Sequence, residues 1–173
     1  MGLVVEIAYD PAPLGGGLAL GTEIERKYLV SGEAWRPGYE SRRLRQGYLA
    51  FGPPASVRVR VSGTVAHLNI KRSTLDISRD EFEYPLPVED AEFMLATLCQ
   101  GRLVEKTRHW VRFGGLVWEV DIFEGANAGL VVAEVELDRA DQRIELPPWA
   151  GREVSGEARY LNSALAQRPF SEW

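Results

Sequence analysis

The sequence predicts an α+β fold, mainly β, in which eight antiparallel strands close into a barrel flanked by a few helices. Three observations carry this. Eight segments alternate apolar with charged residues at period two, the pattern of strands with two unlike faces. Turn residues separate several of them, at Gly52-Pro53-Pro54, Ser62-Gly63 and Gly114-Gly115, which makes sequential antiparallel neighbours the natural pairing. The polar positions on these strands are almost all carboxylate, guanidinium or ammonium. A solvated face usually mixes in Thr, Ser and Gln, so a lined interior explains this face better than an outer surface.

Taken in order, residues 1–21 hold Pro11, Pro13 and the run Gly15-Gly16-Gly17 and read as a flexible leader. A single domain is expected over 22–173, since a chain of 173 residues has room for one domain of ordinary size. Strands are expected near 22–30, 42–50, 55–62, 65–71, 78–84, 102–112, 115–124 and 131–137. A helix is expected over 88–100, where Phe93, Leu95, Ala96 and Leu98 supply an apolar side and Gly101 a stop. A shorter helix is expected near 157–167, with Leu161, Ala164 and Leu165 on one face.

Composition excludes several classes. Twenty Lys plus Arg against 25 Asp plus Glu give a net charge of −5, without the basic footprint of a nucleic-acid polymer binder. The single cysteine, Cys99, has no internal disulfide partner, and its apolar neighbours predict a reduced thiol in a core and a cytoplasmic chain. No apolar run approaches the roughly 18 residues of a membrane span, and no basic flank marks a signal peptide. A membrane role is not expected.

Residues two apart on a strand share a face. Parity therefore groups Glu23, Glu25 and Lys27; Arg58 and Arg60; Asn69 and Lys71; Glu81 and Glu83; Lys106 and Arg108; Glu119 and Asp121; and Glu134 and Glu136. Arg43 and Arg45 are expected additions from the second strand. If these faces converge inside a barrel, the Val, Leu, Ile and Trp residues face outward, covered by the helices or by a second copy of the chain; a homodimer is therefore an expectation. Burying so many charges without a ligand is costly. Carboxylates suit Mg²⁺ or Mn²⁺, and Arg and Lys suit phosphate oxygens, so the set suits a metal-bound polyphosphate.

The run Glu23-Ile24-Glu25-Arg26-Lys27 resembles the Glu-x-Glu-x-Lys signature of the CYTH superfamily, the triphosphate tunnel metalloenzymes. The resemblance continues through QGYLA at 46–50, RVR at 58–60, IK at 70–71, EFEY at 81–84, EKTR at 105–108, WEVD at 118–121, AEVEL at 133–137 and GREV at 151–154. It implies an eight-stranded tunnel that hydrolyses a triphosphate with Mg²⁺ or Mn²⁺, most similar to stand-alone bacterial inorganic tripolyphosphatases. It implies Glu23, Glu25, Glu134 and Glu136 as metal ligands, with Glu119 and Asp121 placing a second metal or the attacking water. It implies Lys27, Arg58, Arg60, Lys71, Lys106 and Arg108 as phosphate ligands, joined by Arg43, Arg45 and Arg152, and Lys27, Glu25 and Lys106 as catalytic. Some family members use a lysine with a tyrosine; Tyr28 is the candidate here, although parity turns it away from Lys27. Arg152, and Arg159 or Tyr160, are expected to close one tunnel mouth.

Two departures from the pattern stand out. The signature begins after 21 residues instead of a few, and His67 and Asn69 occupy positions where Thr or an aliphatic residue is expected. His67 and His109 are expected to be structural. Alternative readings are a class IV type adenylate cyclase, a thiamine or nucleoside triphosphatase, and a non-catalytic polyphosphate or nucleotide binder. A carrier of apolar ligands is disfavoured by the charged inner face.

Overall fold

The computed structural model describes residues 20–35 and 40–173. The expected leader lies, for residues 1–19, outside the described residues; its last two residues, Leu20 and Gly21, belong to the first strand. The elements are β1 (Leu20–Val30), β2 (Ser41–Ala50), β3 (Ala55–Ser62), β4 (Val65–Arg72), β5 (Ser78–Leu86), α1 (Val88–Thr97), β6 (Gln100–Phe113), β7 (Leu116–Phe123), β8 (Val131–Glu136), β9 (Ala150–Glu153) and α2 (Asn162–Gln167). Every strand pairing is antiparallel, in the order β5-β4-β3-β2-β6-β7-β8-β1, and β1 pairs with β5 to close the barrel.

The unforeseen strand, β9, has a geometric origin. β1 pairs with β5 only through Leu20 to Ile24, and on its other edge with β8 through Glu25 to Leu29. Past the end of β5 one edge of β1 would be bare; β9 takes it, opposite Tyr28 and Val30. The helix expected over 88–100 ends at Thr97, where the Leu98 and Cys99 amides both donate to the Met94 carbonyl, and β6 starts at Gln100. The helix expected over 157–167 is a 3-10 turn at Ala158–Tyr160 followed by α2, because Leu161 between them is extended.

Three apolar clusters hold the barrel. Tyr28, Trp118, Val120, Ala133 and Val135 face outward from β1, β7 and β8 and are covered by Trp35 and by the Leu137 to Trp149 segment. Val59, Val61 and Ala66 on β3 and β4 pack under Ala91 and Leu95 of α1. The third cluster lies at one end of the barrel: Tyr48, Val104, Phe123 and Val132 meet Leu165 and Ala166 of α2. Cys99 packs beside the second, so close to Gly47 that a Cβ there would lie 2.6 Å from its Sγ. Much of the outward apolar surface is thus covered by the chain's own helices and loop segment, while Tyr84, Phe93, Leu98 and Val117 remain exposed. Among the described residues no helix is long and apolar enough to cross a membrane.

Candidate active site

The inner rows are Glu23, Glu25 and Lys27 on β1; Leu44, Gln46 and Tyr48 on β2; Ser56, Arg58 and Arg60 on β3; His67, Asn69 and Lys71 on β4; Arg79, Glu81 and Glu83 on β5; Lys106 and Arg108 on β6; Glu119 and Asp121 on β7; and Glu134 and Glu136 on β8. They enclose a cavity of about 450 Å³, walled by the cations Lys27, Arg58, Arg60, Lys71, Arg72, Arg79, Lys106 and Arg108 and the carboxylates Glu23, Glu25, Glu119 and Glu134, with α2 and the β4–β5 loop at its rim. A second opening shares Glu23, Arg58, Arg60, Lys71, Arg108 and Glu119 and adds Glu81, Glu83 and Glu136. The lumen therefore opens at both ends.

Inside, each cation lies on a carboxylate. Lys27 bonds Glu134 and lies 3.8 Å from Glu25. Arg108 reaches Asp121 and Glu134, each at 2.7 Å, and Glu119 as well. Lys106 bonds Asp121, Lys71 bonds Glu23 at 2.7 Å and Glu81 at 3.2 Å, and Arg79 bonds Glu25. Arg60 meets Glu83 at 3.0 Å, while Arg58 stands 3.8 Å from Glu81.

Two buried lysines show how the pairing works. Burial opposes the charge of Lys27, but Glu134 and Glu25 outweigh it and raise its pKa. Lys106 shares Asp121 with Arg108, whose charge repels it, so burial prevails and its pKa is lowered. Burial pushes the Glu134 carboxyl up, yet Lys27, Lys106 and Arg108 hold it well below the usual range. Glu136 is the exception. Burial and the neighbouring Glu23, Glu119, Glu25 and Glu81 all raise its pKa, and it lies directly across from Glu25 in the ladder.

That repulsion bears on a metal. Among the described residues no group of three His, Cys, Asp or Glu is already gathered for an ion, because most of the carboxylates are drawn onto cations. The donor set is nonetheless all oxygen, the kind that hard divalent cations take. Glu136 faces the lumen crowded by Glu23, Glu25 and Glu119, a repulsion that such an ion relieves, so the residues fit one; Glu134, expected among the ligands, is held by Lys27 and Arg108. Asp121 does not fit one: it is fully buried behind the wall as the shared counter-ion of Lys106 and Arg108.

Several expected site residues lie elsewhere. Arg43 and Arg45 project outward, Arg43 onto Glu105 and Glu124 and Arg45 onto Glu92 of α1, because the inner row of β2 is Leu44, Gln46 and Tyr48. Tyr28 packs against Trp118 in the outer cluster, with its ring 5.6 Å from the indole and its hydroxyl toward Glu153. Arg152 is exposed and bonded to Glu157 and Tyr160; Arg159 lies over Tyr160 and Trp173; none of these lines the lumen. The rim is made instead by Ala158, Leu161, Asn162 and Ser163.

Arg72, Arg79 and Tyr48 line the cavity and are not among the expected site residues. Arg79 shares the parity of Glu81 and Glu83 and could have been read from it. Tyr48 lies within the QGYLA run, and its ring borders the cavity near Lys27 and Arg58, whose charges oppose the burial that raises its pKa. The tyrosine that accompanies Lys27 at the lumen is Tyr48.

A model of the CYTH domain matches residues 21–168. The chain belongs to the CYTH family. A curated relative from Acetivibrio thermocellus, an inorganic triphosphatase, is 44% identical over 154 residues, 89% of this chain and 99% of its own. A second inorganic triphosphatase, from Nitrosomonas europaea, is 41% identical over 152 residues, 84% of this chain and 97% of its own. The crystal structure of an inorganic triphosphatase superposes with a TM-score of 0.64 at 35% identity, covering 85% of this chain and 95% of that one. The triphosphate tunnel enzymes of this family are metal-dependent.

Proposed function

We propose that this chain hydrolyses inorganic triphosphate to pyrophosphate and phosphate inside the barrel, with Mg²⁺ or Mn²⁺. The observation that carries the reading is the cavity wall, where eight cations and four carboxylates interleave in one lumen. The two inorganic triphosphatases at 44% and 41% identity support it. The only aromatic ring on either opening, among the described residues, is that of Tyr48. A nucleobase or thiazole thus has little to stack on, which favours inorganic triphosphate over nucleotide or thiamine substrates and over cyclase chemistry.

In this reading Lys27, Arg58, Arg60, Lys71 and Arg79 exchange carboxylate for phosphate partners when substrate enters, while Lys106 and Arg108 keep Asp121 and add phosphate contacts. The exchange keeps each charge paired, so the guanidinium groups grip by two parallel hydrogen bonds at little further desolvation cost. Glu23, Glu25, Glu119 and Glu136 would hold the metal, which would supply charge neutralisation and Lewis-acid polarisation of the phosphoryl group. Lys27 remains protonated throughout, as its raised pKa requires, and stabilises the charge that develops on the leaving oxygen. Tyr48, a neutral phenol because burial raises its pKa, donates a hydrogen bond to a phosphate oxygen. Asp121 keeps Lys106 and Arg108 aimed inward.

A phosphate-release screen tests this, with tripolyphosphate, pyrophosphate, ATP and thiamine triphosphate offered with each metal and cyclic AMP monitored. Fastest release from tripolyphosphate, absent after chelation, is expected. Cyclic AMP formation from ATP with little release from tripolyphosphate would replace this reading with the cyclase.

A further inference from the structure

Gln46 lies at the centre of the inner row of β2, between Leu44 and Tyr48, with Arg60 opposite it on β3 and Val104 on β6. Its side chain is completely buried, and neither its Nε2 nor its Oε1 has a hydrogen-bond partner. An unpaired buried amide costs about 1–3 kcal/mol, and the neighbouring inner position, Leu44, shows that an apolar side chain fits this row. One strand away, the Nε of Arg58 is also buried without a partner. Arg58 faces Tyr48 across the ladder, one inner position along from the Gln46–Arg60 pair. At such diagonal spacing, about 7–8 Å between Cα atoms, long side chains can meet. An acceptor and a donor, both unsatisfied, thus stand within side-chain reach of each other on the inner face of the barrel, Arg58 lining the cavity and Gln46 completely buried beside it.

We infer that Gln46 is a positioning residue for Arg58. When triphosphate enters, the Arg58 guanidinium turns from Glu81 to a phosphate, and the Gln46 amide oxygen accepts the Nε–H of Arg58. The terminal nitrogens are then left free for a two-point grip on the phosphate. The amide is the right group for this: it is neutral and does not titrate, so it orients the guanidinium without competing with phosphate for its charge, as a carboxylate would. This inference rests on the reading of the lumen as a triphosphate site.

The test measures tripolyphosphate binding by calorimetry in metal-free buffer, steady-state kinetics with metal, and thermal melting, on wild type, Gln46→Leu and Gln46→Glu. The inference predicts that Gln46→Leu melts at or above the wild-type temperature, because an unsatisfied amide is gone. It also predicts binding about tenfold weaker and a KM raised in proportion, with kcat within about twofold. Gln46→Glu should bind more weakly still, because its carboxylate claims Arg58 and repels phosphate. Wild-type binding and KM in Gln46→Leu would overturn the inference, as would affinity lost only in step with melting temperature. A wild-type chain that binds tripolyphosphate but releases no phosphate defeats the catalytic reading alone, and the binding ratios still decide Gln46. A wild-type chain that neither binds tripolyphosphate without metal nor releases phosphate with it overturns both, whereas release with metal but no metal-free binding leaves the KM ratios to decide Gln46.

Discussion

Arg45 on β2 and Arg60 on β3 are one strand apart and carry the same side chain, yet they face opposite ways. Arg45 reaches outward to Glu92 on α1 through a half-exposed pair. Arg60 turns inward to Glu83, where burial and the charge of Arg58 lower its pKa and its partner Glu83 is held below the usual carboxylate range. In the first setting water screens the charge and the pair contributes little. In the second the side chains are only moderately less exposed, 22% and 34% against 32% and 40%, but further cations and carboxylates crowd the same lumen, so each charge depends more on its partner. What makes an arginine here part of a site is the side of the sheet it is on.

The contrast can be broken most severely through the buried groups. Val59 faces out of the lumen into the cluster beneath α1 and is fully buried; Val59→Asp places an unpaired charge there and should cost several kcal/mol, on the order of the penalty for an uncompensated buried ion, read as loss of the cooperative urea transition. Arg108→Ala strips the counter-charge from Asp121, Glu119 and Glu134 together. It should destabilise by about 3 kcal/mol and abolish phosphate release; wild-type turnover in this variant would exclude Arg108 from the grip.

A smaller effect separates the two faces of the wall more cleanly. Tyr48→Phe should lower turnover about tenfold, the scale of one lost hydrogen bond to a charged group, while Tyr28→Phe leaves turnover unchanged because Tyr28 packs on Trp118 outside. Equal activities in the two variants would remove Tyr48 from the chemistry. Smaller again is a pH effect. The folded pKa of Glu83 lies below its ordinary 4.5, since Arg60 and the Asn69 amide outweigh burial. Its contribution to stability is therefore full above about pH 4.5 and disappears as pH falls through the folded value. Glu83→Gln should flatten the acid limb of melting temperature against pH. Arg45→Ala marks the low end: a stability change under about 1 kcal/mol and unchanged turnover are expected of a surface pair.

Most of the lumen could be read from parity because alternation is a local property of strands. Glu23, Glu25, Lys27, Arg58, Arg60, Lys71, Arg108, Glu119, Glu134 and Glu136 all line it as the alternation implied. β2 shows where that reading fails. Its charged row, Arg43 and Arg45, is the one expected inside, but it is the plain row, Leu44, Gln46 and Tyr48, that points into the barrel. The reason is nonlocal: Glu105 and Glu124 lie beside Arg43, and Glu92 of α1 lies over Arg45, so the outer face of β2 offers its arginines carboxylates of their own. Asp121 shared the parity of the lumen rows, but only packing showed that Lys106 and Arg108 hold it out of reach.

By itself the sequence determined the strands, their antiparallel succession and the two unlike faces of each, because period-two alternation and turn residues act over a few neighbours. It also determined that the charges were too many and too mixed for a coat. Tertiary structure alone decided which face of β2 turned inward, that β9 would cover the freed edge of β1, that the Leu137 to Trp149 segment would cover the outer wall, and which tyrosine would stand beside Lys27. Each of those depends on groups far apart in the chain competing for the same partner, and a linear pattern carries no record of who wins.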